Sequence, residues 1–177
     1  MSTTPHMPTC APRAPEAAGT NSPARTIVLG LGNPILTDDS VGLRVVEQLK
    51  TALNDLPGVE LAEDYCGGLR LMERLVGFDR AVVIDARRSA APPGTIRVLE
   101  PGAVSTRHGD SAHDVSLQSA LELGRRVGAA LPADDNVRIV AIEVSEVEEF
   151  GEACTPAVAA AVPRAAGLVC ALLVDWR

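Results

Sequence analysis

"TIVLGLGNPILTDDSVGLRVVEQLK", Thr26 to Lys50, is the stretch on which the fold turns. Its first seven residues, 26–32, are apolar almost throughout, as in a strand buried on both faces rather than one with a wet side. From about Asp39 to Leu53 the pattern changes: Val41, Val45, Leu49 and Leu53 recur every four residues and mark one stripe of a helix. A strand, a Gly-x-Gly turn and a helix in this order begin many nucleotide-binding folds. Here the third glycine of the dinucleotide fingerprint falls on Ile35, the lysine of a phosphate-binding loop is missing, and Asp38 and Asp39 stand where a phosphate would sit. Two carboxylates at a helix N-terminus repel the anion that the helix dipole would attract. The turn is therefore not read as a nucleotide site. Capping of the helix by Asp38 and Asp39, and projection of the second carboxylate into a crevice beyond the strand ends, are both open readings.

The same alternation continues outward. Strands are expected at 59–65, 80–86 and 137–144, and helices at 68–77 and 114–131. Short β-branched runs separated by amphipathic segments point to an α/β fold, a three-layer sandwich with a twisted, mostly parallel five-stranded sheet and helices on both faces. The run at 94–100 follows its predecessor after a Pro-Pro-Gly turn too short for a crossover helix, so this strand is expected to be antiparallel or at an edge. In the last segment Thr155 is placed to cap a helix, Pro156 fits its first turn, and Pro163 is expected to kink or divide it. An acidic loop, 145–154, precedes it and is expected to be solvated.

Composition narrows the function. The chain has 177 residues, 46% of them hydrophobic, enough for one core and one domain over 26–177. Residues 1–25, with five prolines and no signal-like apolar run, are expected to be a disordered tail. Aromatics make up 2%, which disfavours sites that stack bases or sugars on rings. A net charge of −7 argues against nucleic acid and anionic membranes as partners. Cys10, Cys66, Cys154 and Cys170 show no metal or redox spacing, and are expected to be free thiols in a reducing cytosol. No stretch reaches the ~20 uncharged apolar residues of a bilayer span. A cytoplasmic protein is expected.

Three residues carry candidate chemistry. Asp85 ends "AVVIDA", and in a parallel sheet the strand carboxyl ends share one edge, onto which Asp39 should also open. His113 is one of three histidines and opens "HDVSLQSALELG", a helix start expected on the same edge. Two carboxylates and an imidazole form a donor set suited to a first-row divalent metal such as nickel or zinc.

The blocks "IVLGLGNPILTDDSVGLRVVEQL" (27–49), "FDRAVVIDARRSAAPPGTI" (78–96), "SAHDVSL" (111–117) and "TPAVAAAVP" (155–163) resemble the [NiFe]-hydrogenase maturation proteases, in their order and spacing, from about residue 26 to 166. The resemblance implies an endopeptidase that removes the C-terminal extension of the hydrogenase large-subunit precursor after nickel insertion. It also implies a five-stranded mixed sheet and metal contacts at Asp39, Asp85 and His113. Asp39 and Asp85 are the expected catalytic residues. Nickel would arrive with the substrate, held by cysteine thiolates, rather than reside in the protease, which is expected to act as a monomer. Water activation by the metal and by a carboxylate are both open.

Two departures from the family pattern stand out. The Asp-Gly-Gly turn after the second strand is replaced by "AEDYCGG" (62–68), with Glu63 or Asp64 as the acidic residue, and Ala153-Cys154 stand where Gly-Leu is common. Cys66 and Cys154 have no recognisable base, which disfavours a thiol nucleophile. The alternative function is a non-catalytic chaperone that checks nickel loading of the large subunit.

Overall fold

The computed structural model describes residues 24–53, 56–65, 68–103 and 116–176. In chain order these form β1 (Thr26–Leu31), α1 (Val41–Ala52), β2 (Val59–Asp64), α2 (Gly68–Arg74), β3 (Arg80–Arg87), β4 (Ile96–Leu99), α3 (Leu117–Arg126), β5 (Val137–Glu143), α4 (Pro156–Ala159) and α5 (Val162–Asp175). The five strands lie in the order β2-β1-β3-β5-β4. All neighbours run parallel except β4, which pairs antiparallel with β5 at the edge. The short Pro-Pro-Gly connection leaves no room for a helical crossover, as its length predicts.

Helices cover both faces of this sheet, so the fold is a three-layer sandwich. Val28, Val82, Ile84, Val140 and Ile142 pack with Val45, Leu49, Val169 and Leu173 of α1 and α5. Ile27, Leu29, Leu31, Val83 and Ile139 face the other way, onto Leu71 and Leu75 and onto Leu117 and Leu121 of α3. The central strands β1 and β3 are thus apolar on both sides, which explains why their sequences show no alternation.

The approach of α1 to the sheet depends on glycine. A Cβ on Gly30 would strike the carbonyl of Gly42, and a Cβ on Gly42 would strike the carbonyls of Leu31 and Ile84. Helix and strands touch backbone to backbone there.

At the chain start, Arg25 belongs to the ordered domain rather than to the expected tail. Its backbone N–H donates to the Asp79 carboxylate at 2.8 Å, and its guanidinium lies 4.7 Å from the Phe78 ring centre. The remainder of the expected tail, through Pro23, lies outside the described residues. Pro163 divides the last helix as expected: α4 ends at Ala159, and Pro163 sits in the first turn of α5. Among the described residues, Pro156–Asp175 is the one stretch whose length and composition suit a bilayer span. It contains Arg164, which donates to the Gly94 carbonyl at 2.7 Å, and it packs Val158, Ala161, Ala165 and Val169 into the core.

Candidate active site

The carboxyl ends of β1, β2, β3 and β5 form one edge of the sheet. Above it the chain leaving β1 makes a tight loop. Gly32 has a φ of 145°, and a Cβ there would collide with the carbonyl of Asp39. The loop closes into a 3-10 turn over Asp38–Ser40 before α1 begins at Val41.

Neither aspartate caps α1. The Asp38 side chain is fully buried and accepts two hydrogen bonds from Thr155, 2.7 Å from its backbone N–H and 3.0 Å from its hydroxyl. Thr155 occupies the N-cap position of α4 as expected, but its hydroxyl serves Asp38 rather than its own helix. The pairing joins residues 117 positions apart, so no local pattern foretells it. Asp38→Ala would leave both Thr155 donors without their acceptor in a partly buried site. We expect a loss of about 3 kcal/mol, measured as a fall in the urea unfolding midpoint.

Asp39 turns the other way. One carboxylate oxygen accepts the Asn33 N–H at 2.7 Å, which fixes the loop. Its side chain lines a groove of about 430 Å³ together with Gly32, Asn33, Pro34, Leu36 and Tyr65. The acidic loop is mostly exposed, as expected, and is also tied to this turn. Leu36 bridges Phe150, the Thr37 N–H donates to Glu149, and Arg44 donates to the Glu152 carbonyl at 2.6 Å. Ile35, Phe150 and Tyr65 are exposed around the mouth, giving it an apolar rim.

Asp85 lies beneath, 7% exposed, one residue past the last paired position of β3 with β1, Ile84 opposite Gly30. The Gly42 contact with the Ile84 carbonyl brings the first turn of α1 against the residue preceding Asp85. Asp39 and Asp85 are thus both carried near the carboxyl ends of the parallel strands. Asp85 follows the alternation of Ala81 and Val83 and projects on the α2/α3 face.

The same alternation separates Glu63 from Asp64. Glu63 lies on the α1 side, bound to Lys50 at 2.5 Å. Asp64 lies opposite Leu31, on the side of Asp85, where Arg74 approaches to 3.2 Å. Of the two, Asp64 is the acidic residue placed near the rim.

His113 lies outside the described residues, as do Cys10 and Cys66. The helix expected from residue 114 is capped later, by Ser116, whose hydroxyl accepts the Ser119 N–H at 3.1 Å. The expected position of His113 at the start of this helix lies outside the described residues. Among the described residues no three His, Cys, Asp or Glu side chains group closely enough to hold a metal ion. Sequence reasoning also passed over Glu143 at the end of β5, a carboxylate that is 1% exposed. A glutamate closing an apolar strand is the one signal that pointed to it.

Cys154 and Cys170 are free thiols. Cys154 lies 3.7 Å from the Ser40 hydroxyl. Burial above all pushes its thiol above the ordinary value; the Ser40 contact opposes this, and the Asp38 charge adds to it. A thiol kept protonated is a poor nucleophile, in agreement with the disfavoured cysteine mechanism. The unfolded chain releases this proton first, near pH about 8.5, so this group's contribution to stability falls as pH rises from there toward the folded value. The unfolding midpoint of the wild type should drop more steeply across that window than that of Cys154→Ala.

Residues 43–172 match the family model described as hydrogenase maturation protease. The hydrogenase expression/formation protein HoxM of Cupriavidus necator is 28% identical over 85% of this chain and 74% of its own length. The hydrogenase 2 maturation protease of Escherichia coli is 31% identical over 59% of this chain and 65% of its own. Among solved structures, the hydrogenase maturating endopeptidase HybD of E. coli superimposes with a TM-score of 0.71 at 29% identity, covering 85% of this chain and 93% of HybD. The family model spans well over half of the residues, and this chain accordingly belongs to the hydrogenase maturation proteases, peptidases that serve the maturation of hydrogenases.

Proposed function

We propose that this protein cuts the C-terminal extension from the precursor of a [NiFe]-hydrogenase large subunit, and that it reads nickel already bound in that substrate through Asp39, Asp85 and His113. The observation that supports this most is the position of Asp39 in an open groove with apolar edges, above the sheet edge where β3 carries Asp85. An extended peptide fits such a groove, and two carboxylates beside it supply the oxygen donors that a partly liganded metal would take up. Three protein ligands contributed by distant segments bind a free ion weakly. A metal that brings its own thiolates needs only one or two more donors, so the site favours loaded precursor over empty precursor.

In this reading the substrate's nickel anchors the peptide at the rim. Asp85, nearly enclosed, takes the proton of an attacking water and returns it to the leaving amine as the carbon–nitrogen bond breaks. Asp39, oriented through the Asn33 N–H, holds the metal side of the groove. The setting is cytoplasmic, where precursor and protease would meet.

Purified protein incubated with nickel-loaded precursor should release a C-terminal peptide, seen as a mass loss of the precursor. Metal-free precursor should stay intact. His113→Ala should reduce release from loaded precursor by about 100-fold or more through loss of one metal contact. Failure to cut an authentic loaded precursor would overturn the peptidase reading for that partner, and a cut that ignores nickel would overturn the recognition step.

A further inference from the structure

Glu143 carries a feature that the proposed reaction does not use. Both of its carboxylate oxygens are buried, and among the described residues neither receives a hydrogen bond. Its charge is met by Arg87 Nε at 3.9 Å and Arg97 Nε at 4.0 Å, beyond hydrogen-bonding distance. A carboxylate removed from water without hydrogen bonds is costly, so its retention calls for a reason. Here β5 lies between β3 and β4, and Glu143 therefore stands between two arginines held by the flanking strands.

All three side chains project on the face that carries Asp85. Arg87 is two residues beyond Asp85 and opposite Glu143, while Arg97 pairs with Ala141 on the same alternation. The arginine side chains are 35% and 54% exposed. Neither donates a hydrogen bond to an acceptor among the described residues. Two guanidinium groups face one buried carboxylate at this corner, with Asp85 about 7 Å further back along β3. A planar guanidinium with unspent N–H donors is suited to a carboxylate.

We propose that Arg87 and Arg97, kept together by the buried charge of Glu143, form a specificity fork that takes a carboxylate of the substrate's C-terminal extension. Glu143 is the positioning residue: it offsets the repulsion between the arginines and, being enclosed, does not occupy their outer donors. Two residues of strand span about 7 Å, so the recognised carboxylate lies roughly two to four residues from a peptide bond held at Asp85. An acidic side chain or the terminal carboxylate of the extension supplies the same chemistry.

This inference rests on the proposed peptidase reading, and its test separates the two. Three fluorescein-labelled peptides of common sequence serve as probes for the full-length protein: one with an internal Glu and an amidated end, one with Gln and a free carboxylate, and one with Gln and an amide. Fluorescence anisotropy should show about tenfold tighter binding of a carboxylate-bearing peptide than of the neutral one, and which of the two binds identifies the source. Arg97→Gln, on the edge strand, and Arg87→Gln should each abolish that preference, while Arg97→Lys should keep part of it. In processing of loaded precursor, Arg97→Gln should raise KM about tenfold with kcat changed less than twofold, and neutralising the recognised carboxylate should add no further loss. Equal binding of all three peptides, or an unchanged preference in both Gln variants, would overturn the fork. Carboxylate preference without cleavage would instead strike the peptidase reading alone.

Discussion

Asp85→Asn should stop release of the C-terminal peptide, with a fall of about 1,000-fold or more, equivalent to roughly 4 kcal/mol of transition-state stabilisation. Asparagine has the shape of aspartate but cannot take a proton from water at neutral pH and is a weaker metal ligand. Asp85 is 7% exposed at the end of a central strand, so bulk water cannot readily stand in for the lost carboxylate. The fold should survive, because the strand before it is secured by its pairing with β1 and β5 and by apolar packing on both faces. Mass spectrometry of loaded precursor measures the reaction, and a thermal melt of the variant checks the fold. Processing within tenfold of wild type, by a folded variant, would remove Asp85 from the proposed mechanism.

Gly42→Ala should be strongly destabilising, although alanine is the better helix former. Two effects oppose each other. Replacing a helical glycine by alanine favours the helix by up to about 1 kcal/mol. The added methyl, however, meets the backbone carbonyls of Leu31 and Ile84, and backbone within a central sheet has little freedom to yield. Overpacking of this kind costs about 3 kcal/mol or more, so the clash wins. Gly167 gives the contrasting case on α5, where a Cβ meets nothing within 4 Å. Gly167→Ala should raise stability by about 0.5 to 1 kcal/mol, since the helix gains and nothing is displaced. Urea unfolding of the two variants side by side tests the argument; equal effects would refute it.

The strands were the most legible part of the molecule. Residues 26–31 and 81–84 are buried on both faces, and burial on both faces leaves an unbroken apolar run in the sequence. The edge position of Ile96–Leu99 was legible for a different reason, the length of the preceding turn. Asp39 and Asp85 were reachable because position at the end of a parallel strand, or just beyond it, implies a shared rim. What escaped was set by contacts distant in sequence. The role of Asp38 depends on Thr155, and the choice between Glu63 and Asp64 depends on which face each occupies in register with β1. Glu143 was hidden for the same reason, since its arginine partners come from two other strands. The start of α3 shows the limit of apolar periodicity, which places a helix but not its cap: the Ser116 hydroxyl sets the boundary two residues after the expected one.

The tether from Asp38 to Thr155 also bears on when the enzyme becomes competent. The turn that carries Asp39 is anchored by a residue that the ribosome adds 117 positions later, and α1 completes its packing against α5, later still. A nascent chain with only the first three strands would hold Asp39 loosely and lack the tether that fixes its turn. Activity is thereby withheld until synthesis has passed Thr155, so a stalled or shortened product would be inert toward precursors rather than an unselective protease.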